Sequence, residues 1–174
     1  MGKWGFTLIE LMVVIVIMGI LATIGLPKIF TLIVKAKASE VYPAAGTYIK
    51  LQQAYAMDAG AIGGWGLIGY AGPGAKSEDK TVSSHFAYSS SIGSDEAVDR
   101  KDRGLSSVWE ARSLSKLNDC IVGSSWSLDA CFDSDGQPAF AAWVDDEECA
   151  VLTPSFKLLD SGACSEAFAP PAPL

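Results

Sequence analysis

Histidine is almost absent from this sequence of 174 residues, and its scarcity limits the catalytic chemistry available to the chain. The single His85 has no serine elbow of the G-x-S-x-G type and no cysteine companion to activate. A phosphate-binding loop of the G-x-x-x-x-G-K-[ST] type is missing as well. We therefore expect neither an enzyme nor a cofactor, and we name no catalytic or metal-binding residue.

Positive charge is scarce in the larger, C-terminal part of the chain. Residues 58–174 carry 8 lysines and arginines against 18 aspartates and glutamates, within a chain of net charge -7. Nucleic acids are bound through clustered positive charge, so this balance disfavours a nucleic-acid partner. An acidic surface of this kind favours solubility.

Charge of either sign is almost missing from the N-terminal segment. Between Lys3 and Lys28 the only charged residue is Glu10, in a run dominated by leucine, isoleucine, valine and methionine. Residues 6–26 are just long enough to cross a bilayer as a helix, which takes ~20 apolar residues. A carboxylate in hydrocarbon costs roughly 2.5 to 3.5 kcal/mol on insertion scales, so Glu10 needs a partner.

The segment differs from an ordinary secretory signal, in which a cleavage site follows the apolar run. Here the small residue Gly5 precedes the run, in the string GFTLIE at residues 5–10. This string, with Gly19 and Pro27 further along, resembles the class III leader and N-terminal helix of type IV prepilins and of the pseudopilins of type II secretion systems.

The resemblance implies a route of processing. A prepilin peptidase would cleave after Gly5, remove the leader at residues 1–5, and methylate the new N-terminus at Phe6. The subunit would be held in the bacterial inner membrane and then, through the pilus assembly machinery, join other pilin subunits in an extracellular homopolymer.

The same resemblance assigns Glu10 to subunit assembly, in contact with the amine of Phe6 on a neighbouring subunit. Cleavage creates that amine in the apolar zone, and pairing relieves two desolvation penalties together. The alternative is pairing within one chain, because Phe6 and Glu10 are four residues apart and an acid is favourable near a helix N-terminus.

A second helical segment at residues 28–59 follows the filament-core segment at residues 6–27. Its apolar and small residues recur at alternating steps of four and three, which predicts one buried face. The members are Val34, Ala38, Val41, Ala45, Tyr48 and Tyr55, with Gln52 as the polar exception.

The two segments together predict one long helix over residues 6–59. Pro27 and Pro43 each remove a backbone hydrogen bond and predict kinks. Gly19 and Pro27 bound the weakest stretch of the helix, which in related pili can lose helical structure on assembly.

Residues 60–81 form a glycine-rich connection, after which the period of the sequence changes. Strands are predicted over 82–92, 121–128 and 139–144, whereas 105–117 fits either a strand or a helix. The predicted fold class is α+β: a long, kinked N-terminal helix packs on a small antiparallel β-sheet domain at residues 82–168, with C-terminal disulfides. A proline-rich tail at residues 169–174 should be extended.

All four cysteines lie in the last third of the chain: Cys120, Cys131, Cys149 and Cys164. This pattern predicts two disulfides and an oxidising compartment, and zinc is disfavoured because no C-x-x-C pair exists. Of the three possible connectivities, sequential pairing of Cys120 with Cys131 and of Cys149 with Cys164 closes the shortest loops and is favoured.

The lysines that flank the apolar run indicate a reducing compartment for the large domain, in conflict with the cysteines. Lys3 stands on one side against Lys28, Lys35 and Lys37 on the other, and the positive-inside rule would place the large domain in the cytoplasm. We follow the cysteines and the leader motif.

Two weaker motifs remain. The turn at Asp133 to Gly136 resembles the opening of a calcium loop, but the acid required eleven residues after Asp133 is replaced by Val144, so a solvated turn is expected. Trp65 and Tyr70, on the glycine-rich connection, could contact a carbohydrate or another surface, although core packing explains most aromatic residues.

The function predicted from these features is that of a structural subunit of a type IV pilus, in a filament for adhesion, motility or DNA uptake. The first alternative is a pseudopilin of a type II secretion system. A membrane-anchored periplasmic enzyme with an uncleaved leader is the second.

Overall fold

The computed structural model describes residues 5–77, 80–99 and 104–164. It begins with a helix in two parts, α1 at Leu8–Ala38 and α2 at Val41–Ala59. The long N-terminal helix predicted from the sequence is confirmed, although it begins two residues later than expected. Leader residues 1–4 and the predicted tail at residues 169–174 lie outside the described residues.

A two-residue turn at Ser39 and Glu40 separates α1 from α2. Pro43 explains its position, because proline has no N–H to donate to the Ser39 carbonyl and its ring would collide with that carbonyl in a continuous helix. Within the first turn of α2, where N–H groups lack helical partners, proline is tolerated. Tyr88 holds the turn in place, since its hydroxyl donates to Glu40 Oε1 at 2.7 Å. At Pro27, by contrast, α1 continues without interruption.

The buried face of α2 is the one that the sequence predicts. Val41, Ala45, Tyr48 and Gln52 are fully buried, and Tyr55 is half-buried. The helix ends where the glycines begin, because Gly60 adopts the left-handed conformation, with φ 67°, that closes a helix C-terminus.

Gln52, the polar member of this face, fastens the helix to the chain that follows it. Its Oε1 accepts the Gly63 N–H at 3.1 Å, and its Nε2 donates to the Gly63 carbonyl at 2.6 Å. Nε2 also donates to the Tyr48 hydroxyl at 2.7 Å. Gly63 ends the short strand β1, Ala61–Gly63, and an added Cβ there would come within 2.8 Å of the Tyr55 ring. One amide side chain therefore satisfies both backbone groups of a buried residue.

After β1 the chain forms a short helix and a six-stranded antiparallel sheet. The helix, α3, is Trp65–Ile68. The strands are β2 Ala75–Ser77, β3 Lys80–Val82, β4 Phe86–Ser89, β5 Ala97–Asp99, β6 Leu105–Ser113, β7 Ser125–Phe132 and β8 Pro138–Val144. Among the described residues the sheet order is β2-β3-β4-β6-β7-β8, while β5 pairs with β1 in a separate ribbon.

The strands differ from the predicted ones in position. Residues 82–92 form parts of a hairpin rather than one strand, because the Ser83 hydroxyl accepts the Phe86 N–H at 3.1 Å and closes a turn between β3 and β4. Residues 105–113 are a strand, which resolves the ambiguity between strand and helix. The predicted strand at 121–128 begins only at Ser125 and extends to Phe132.

The core between α2 and the sheet is rich in aromatic rings. Tyr48 contacts Tyr70 edge-on, with ring centroids 5.4 Å apart, and Trp109 stacks with Phe156 at 6.3 Å. The Tyr70 hydroxyl accepts the Trp109 indole N–H at 2.9 Å and donates to the Ala44 carbonyl at 3.2 Å. Burial raises the pKa of Tyr70 to about 12, so this hydroxyl stays neutral at any physiological pH.

Two short helices follow the sheet and cover its last strands. They are α4, Glu147–Leu152, and a 3₁₀ helix, Pro154–Leu159. Asp146 caps α4 by accepting the Glu148 N–H at 2.9 Å. The Trp126 indole N–H donates to the Thr153 hydroxyl at 2.7 Å and joins this region to β7.

The four cysteines form two disulfides, but the favoured sequential pairing is wrong. Cys120 is bonded to Cys149, and Cys131 to Cys164. The strand β7 explains the difference: Cys120 precedes it and Cys131 lies near its far end, and six residues of strand span roughly 20 Å. Bonded cysteines need Cα atoms within roughly 4.4 to 6.8 Å, which those two positions cannot reach.

We predict that Gln52→Leu destabilises the folded domain by about 2 to 4 kcal/mol, because it leaves the buried N–H and carbonyl of Gly63 without partners. Denaturant unfolding of the full chain in detergent measures the loss. Gln53→Leu is the matched control, since Gln53 is exposed on the same helix and should change stability little. Equal stability of the two variants would contradict the role given to Gln52.

We also predict that peptide mapping without reductant recovers the crossed pairs Cys120–Cys149 and Cys131–Cys164. Loops of 29 and 33 residues correspond to about 3 to 4 kcal/mol each in the chain-entropy model of disulfide stabilisation. Replacing both members of one pair with alanine should lower the free energy of unfolding by that order. Recovery of a peptide that joins Cys120 to Cys131 would refute the assignment.

Candidate processing and assembly site

The first described residues are not helical and lead into a helix cap. Residues 5–7 have no regular secondary structure, and Thr7 has the extended backbone of an N-cap residue, with φ -81° and ψ 151°. The Thr7 hydroxyl accepts the Glu10 N–H at 3.4 Å. In return, Glu10 Oε2 accepts the Thr7 N–H at 2.8 Å and the Thr7 hydroxyl proton at 2.6 Å. This reciprocal pair is a capping box, which defines the start of α1 at Leu8.

The cap keeps the peptide bond between Gly5 and Phe6 outside the helix. Phe6 is 87% exposed, and an added Cβ at Gly5 would meet nothing within 4 Å. A peptide bond in this state has a carbonyl that is not engaged in helical hydrogen bonding and is open to attack. The predicted cleavage position therefore lies on an exposed, non-helical segment directly before the N-cap.

Thr7 is the residue that the sequence reasoning missed. The signal was present, because Thr-x-x-Glu before an apolar run is the sequence signature of a capping box. The favourable position of Glu10 near a helix N-terminus follows from the sequence, whereas its hydrogen bonds to Thr7 come from the structure.

Glu10 keeps part of its capacity for a partner. Both hydrogen bonds from Thr7 end on Oε2, and Oε1 accepts none within the described part of the chain. The residue is exposed and borders a shallow apolar depression that is also lined by Phe6, Ile9 and Val13. The capping box and a contact with an amine from another subunit are thus geometrically compatible.

The surface of α1 beyond the cap is apolar and uncovered. Of the described helices, the N-terminal rod Leu8–Ala59, made of α1 and α2, is the one long and apolar enough to cross a membrane, and no part of its most apolar window is buried. From Phe6 to Ile33 the chain carries 19 large hydrophobic side chains that are each more than 45% exposed. Burial begins only near Val34 and Ala38, where the helix reaches the domain.

The polar side chains on this apolar surface are satisfied by the helix itself. The Thr23 hydroxyl donates to the Gly19 carbonyl at 2.8 Å, and the Thr31 hydroxyl donates to the Lys28 carbonyl at 2.8 Å. Pro27 has no N–H for the Thr23 carbonyl, so the helix lacks one hydrogen bond there. The helix is nevertheless continuous from Gly19 to Pro27, and its melting on assembly stays a prediction.

The lysines after the apolar run face acidic groups of the domain. Lys28 and Lys35 line a groove between α1 and the region of the Cys120–Cys149 disulfide, and Asp119 and Glu148 line its other side. The positive-inside rule counts lysines and arginines rather than net charge, so these acids leave the orientation that the lysines indicate in conflict with the one that the cysteines and the leader motif indicate.

The other residues singled out from the sequence lie in turns or in the core. Asp133 closes the turn between β7 and β8, where its Oδ1 accepts the N–H groups of Asp135 at 3.0 Å and Gln137 at 2.7 Å. His85 lies in the turn before β4, where its N–H donates to the Ser83 hydroxyl at 3.3 Å. Trp65 and Tyr70 are 7% and 6% exposed, so neither stands open on the surface.

Comparison with known proteins bears on the N-terminal segment alone. Residues 5–26 match the family model described as the prokaryotic N-terminal methylation motif. This motif is the class III leader signal of type IV pilins and pseudopilins, and it indicates that family. No curated protein and no solved structure matches the chain.

Proposed function

Given a methylation motif at the start of an uncovered apolar helix, we propose that this chain is the structural subunit of a type IV pilus. The precursor is anchored in the inner membrane by α1, prepilin peptidase cleaves it after Gly5, and the mature subunit polymerises into an extracellular filament. The observation that carries the proposal is the apolar surface of α1, which the domain leaves uncovered up to Ile33.

That surface requires a covering in every state of the protein. Burying one large aliphatic or aromatic side chain contributes about 1.5 to 3 kcal/mol of favourable free energy. The many exposed apolar side chains of α1 up to Ile33 therefore cannot stay in contact with water. Lipid covers it in the precursor. In a filament outside the membrane only the helices of other subunits can replace the lipid. The segment Leu8 to Pro27, in which Glu10 is the single charged residue, fits a core made of many copies.

Cleavage supplies the partner that Glu10 lacks in the precursor. Before cleavage the Phe6 nitrogen is part of a peptide bond and carries no charge. Afterwards it is an amine, and methylation leaves its positive charge in place. The Phe6 amine of one subunit and the free Oε1 of Glu10 in the next then form a pair in the apolar core, where each charge alone would be costly.

The disulfides agree with a filament outside the cytoplasm. Both bonds are formed among the residues of the outer domain, and such bonds persist in oxidising compartments. We infer that α1 enters the membrane with the domain on the outer side, where α2 and the sheet form the surface of the fibre.

The proposal predicts long surface fibres whose main protein is this chain, with a methylated Phe6 as its N-terminus. Shearing the cells, sedimenting the fibres and determining the N-terminal mass test both parts. Gly5→Leu is the control: it should retain Met1 and yield no fibres. Methylated Phe6 without surface fibres would instead identify a pseudopilin, and Met1 retained in the native protein would refute both filament functions.

A pair of substitutions at Glu10 separates its cap from its charge. Glu10→Gln keeps a side-chain oxygen for the Thr7 N–H, as capping boxes allow, but has no charge. Glu10→Leu loses both. We expect both variants to be processed after Gly5 and to form at least tenfold fewer fibres than the native chain, measured by sheared protein per cell. Fibre yield at the native level for Glu10→Gln would show that capping, rather than charge pairing, is the role of Glu10.

A further inference from the structure

The groove between α1 and the outer domain lies just beyond the apolar run and plays no part in the proposed charge pairing at Glu10. It has a volume of about 500 Å³, within the range of roughly 300 to 1,000 Å³ found for ligand sites. One wall is the face of α1 from Lys28 to Lys35. The other wall is formed by the turn at residues 117–119 and by α4.

The position of the groove along α1 matches the headgroup layer of a bilayer. The apolar run ends at Pro27, and at 1.5 Å per residue Lys28 and Lys35 lie about 2 and 12 Å beyond it. The headgroup layers add roughly 5 to 8 Å to each side of the hydrocarbon core. A helix that spans the membrane with residues 6–27 therefore places the groove at the level of the lipid phosphates and of the groups attached to them.

The α1 wall carries positive charge above an apolar path into the hydrocarbon. Lys28, Leu32 and Lys35 are spaced by four and three residues, so they share one face of the helix. Below Lys28 the same face continues with Ile24 and Leu21, which are 71% and 65% exposed. An acyl chain can pack along this face while the two long lysine side chains reach the phosphate of the same lipid.

The opposite wall carries two carboxylates whose backbones are joined through a disulfide. Asp119 precedes Cys120, Glu148 precedes Cys149, and the bond holds the Cα atoms of the two cysteines 4.8 Å apart. The turn that contains Asp119 is closed by two backbone hydrogen bonds, of 3.1 and 3.0 Å, between the residues at its ends. Asn118 supplies the left-handed conformation of this turn, with φ 56°, which asparagine tolerates better than most residues. The turn and the disulfide thus fix the backbones that carry both carboxylates.

The charged side chains of the two walls have no partners within the described part of the subunit. Among residues 5–77, 80–99 and 104–164 the one ion pair joins Arg112 to Glu110, on β6. The two lysines and the two acids of the groove make no ion pair and no side-chain hydrogen bond there. Each wall is therefore available to an opposite charge on a ligand.

We propose that this groove binds the headgroup of a zwitterionic phospholipid, with its phosphate at Lys28 and Lys35 and its ammonium group at Asp119 and Glu148. The inference rests on one part of the proposed function, the insertion of α1 in a membrane. A primary ammonium suits the acidic wall, because it donates three hydrogen bonds, as that of lysine does. An anionic headgroup without an amine would bring no cation to the two carboxylates. The bound lipid holds the outer domain against the membrane surface in the precursor.

The test compares phosphatidylethanolamine with phosphatidylglycerol, both with the same acyl chains. The full chain is placed in nanodiscs that contain equal amounts of the two lipids, and native mass spectrometry counts the lipids that stay bound on release. We expect one retained phosphatidylethanolamine per chain, in at least threefold excess over phosphatidylglycerol. Lysines alone would favour the anionic lipid, so equal retention, an excess of phosphatidylglycerol or no retained lipid would overturn the proposal.

Charge variants of the two walls should change lipid binding in different ways. Glu148→Gln should remove the preference, so that phosphatidylglycerol is retained at least as well as phosphatidylethanolamine. Glu147→Gln, at an exposed position that does not line the groove, should keep the native preference. Lys35→Gln should lower the retention of phosphatidylethanolamine at least threefold, whereas Lys37→Gln, on the same helix but outside the groove, should not. Native binding in Glu148→Gln or in Lys35→Gln would refute the site.

The outcome is separate from that of the filament experiments. Lipid binding requires neither cleavage after Gly5 nor assembly, so a chain that forms no fibres should still retain the lipid. Fibres formed by a chain that retains no lipid would refute the groove site alone. A chain that does not enter nanodiscs would refute the membrane insertion on which both proposals depend.

Discussion

The structure depends on one constraint, which is that a single helical rod must satisfy two environments. Its first half is apolar on every side and uncovered, and its second half is amphipathic and buried along one face. The domain is attached to the apolar half mainly through α2, so the packing of Tyr48 and Gln52 determines the position of the domain relative to the helix. The break at Ser39 and Glu40 lies where one environment gives way to the other, and the hydrogen bond from Tyr88 ties that break to the sheet.

The sequence predicts the parts of this arrangement that depend on periodicity. One buried face gives a regular spacing, and the predicted members Val41, Ala45 and Tyr48 are indeed buried. Gln52 interrupts the apolar pattern for a reason that no spacing reveals, because its partner is the backbone of Gly63, on a strand of three residues. The processing motif is likewise local, since a glycine and an acid within six residues can be read directly.

The predicted disulfide pairing and the predicted strand at 82–92 were wrong because both depend on where the chain runs and turns in space. Short loops favour sequential disulfides, yet β7 separates Cys120 from Cys131 by its length and brings each near a cysteine that follows the sheet. The hairpin of β3 and β4 depends on a serine turn within a run that otherwise has the composition of one strand. The burial of Trp65 and Tyr70 agrees with the core packing that explains most aromatic residues, rather than with a surface contact.

The crossed disulfides have a mechanical consequence for a fibre that is pulled along its axis. Tension would enter each subunit through α1 and could peel the domain from its N-terminal side. Past Cys120 the chain cannot lengthen freely, because the overlapping covalent loops retain about 45 residues, which would span roughly 150 Å if fully extended. A subunit that partly unfolds under load would therefore lose its early strands first. The strands β7 and β8 and the terminal helices would stay within the cross-linked region, on which the unfolded strands can refold.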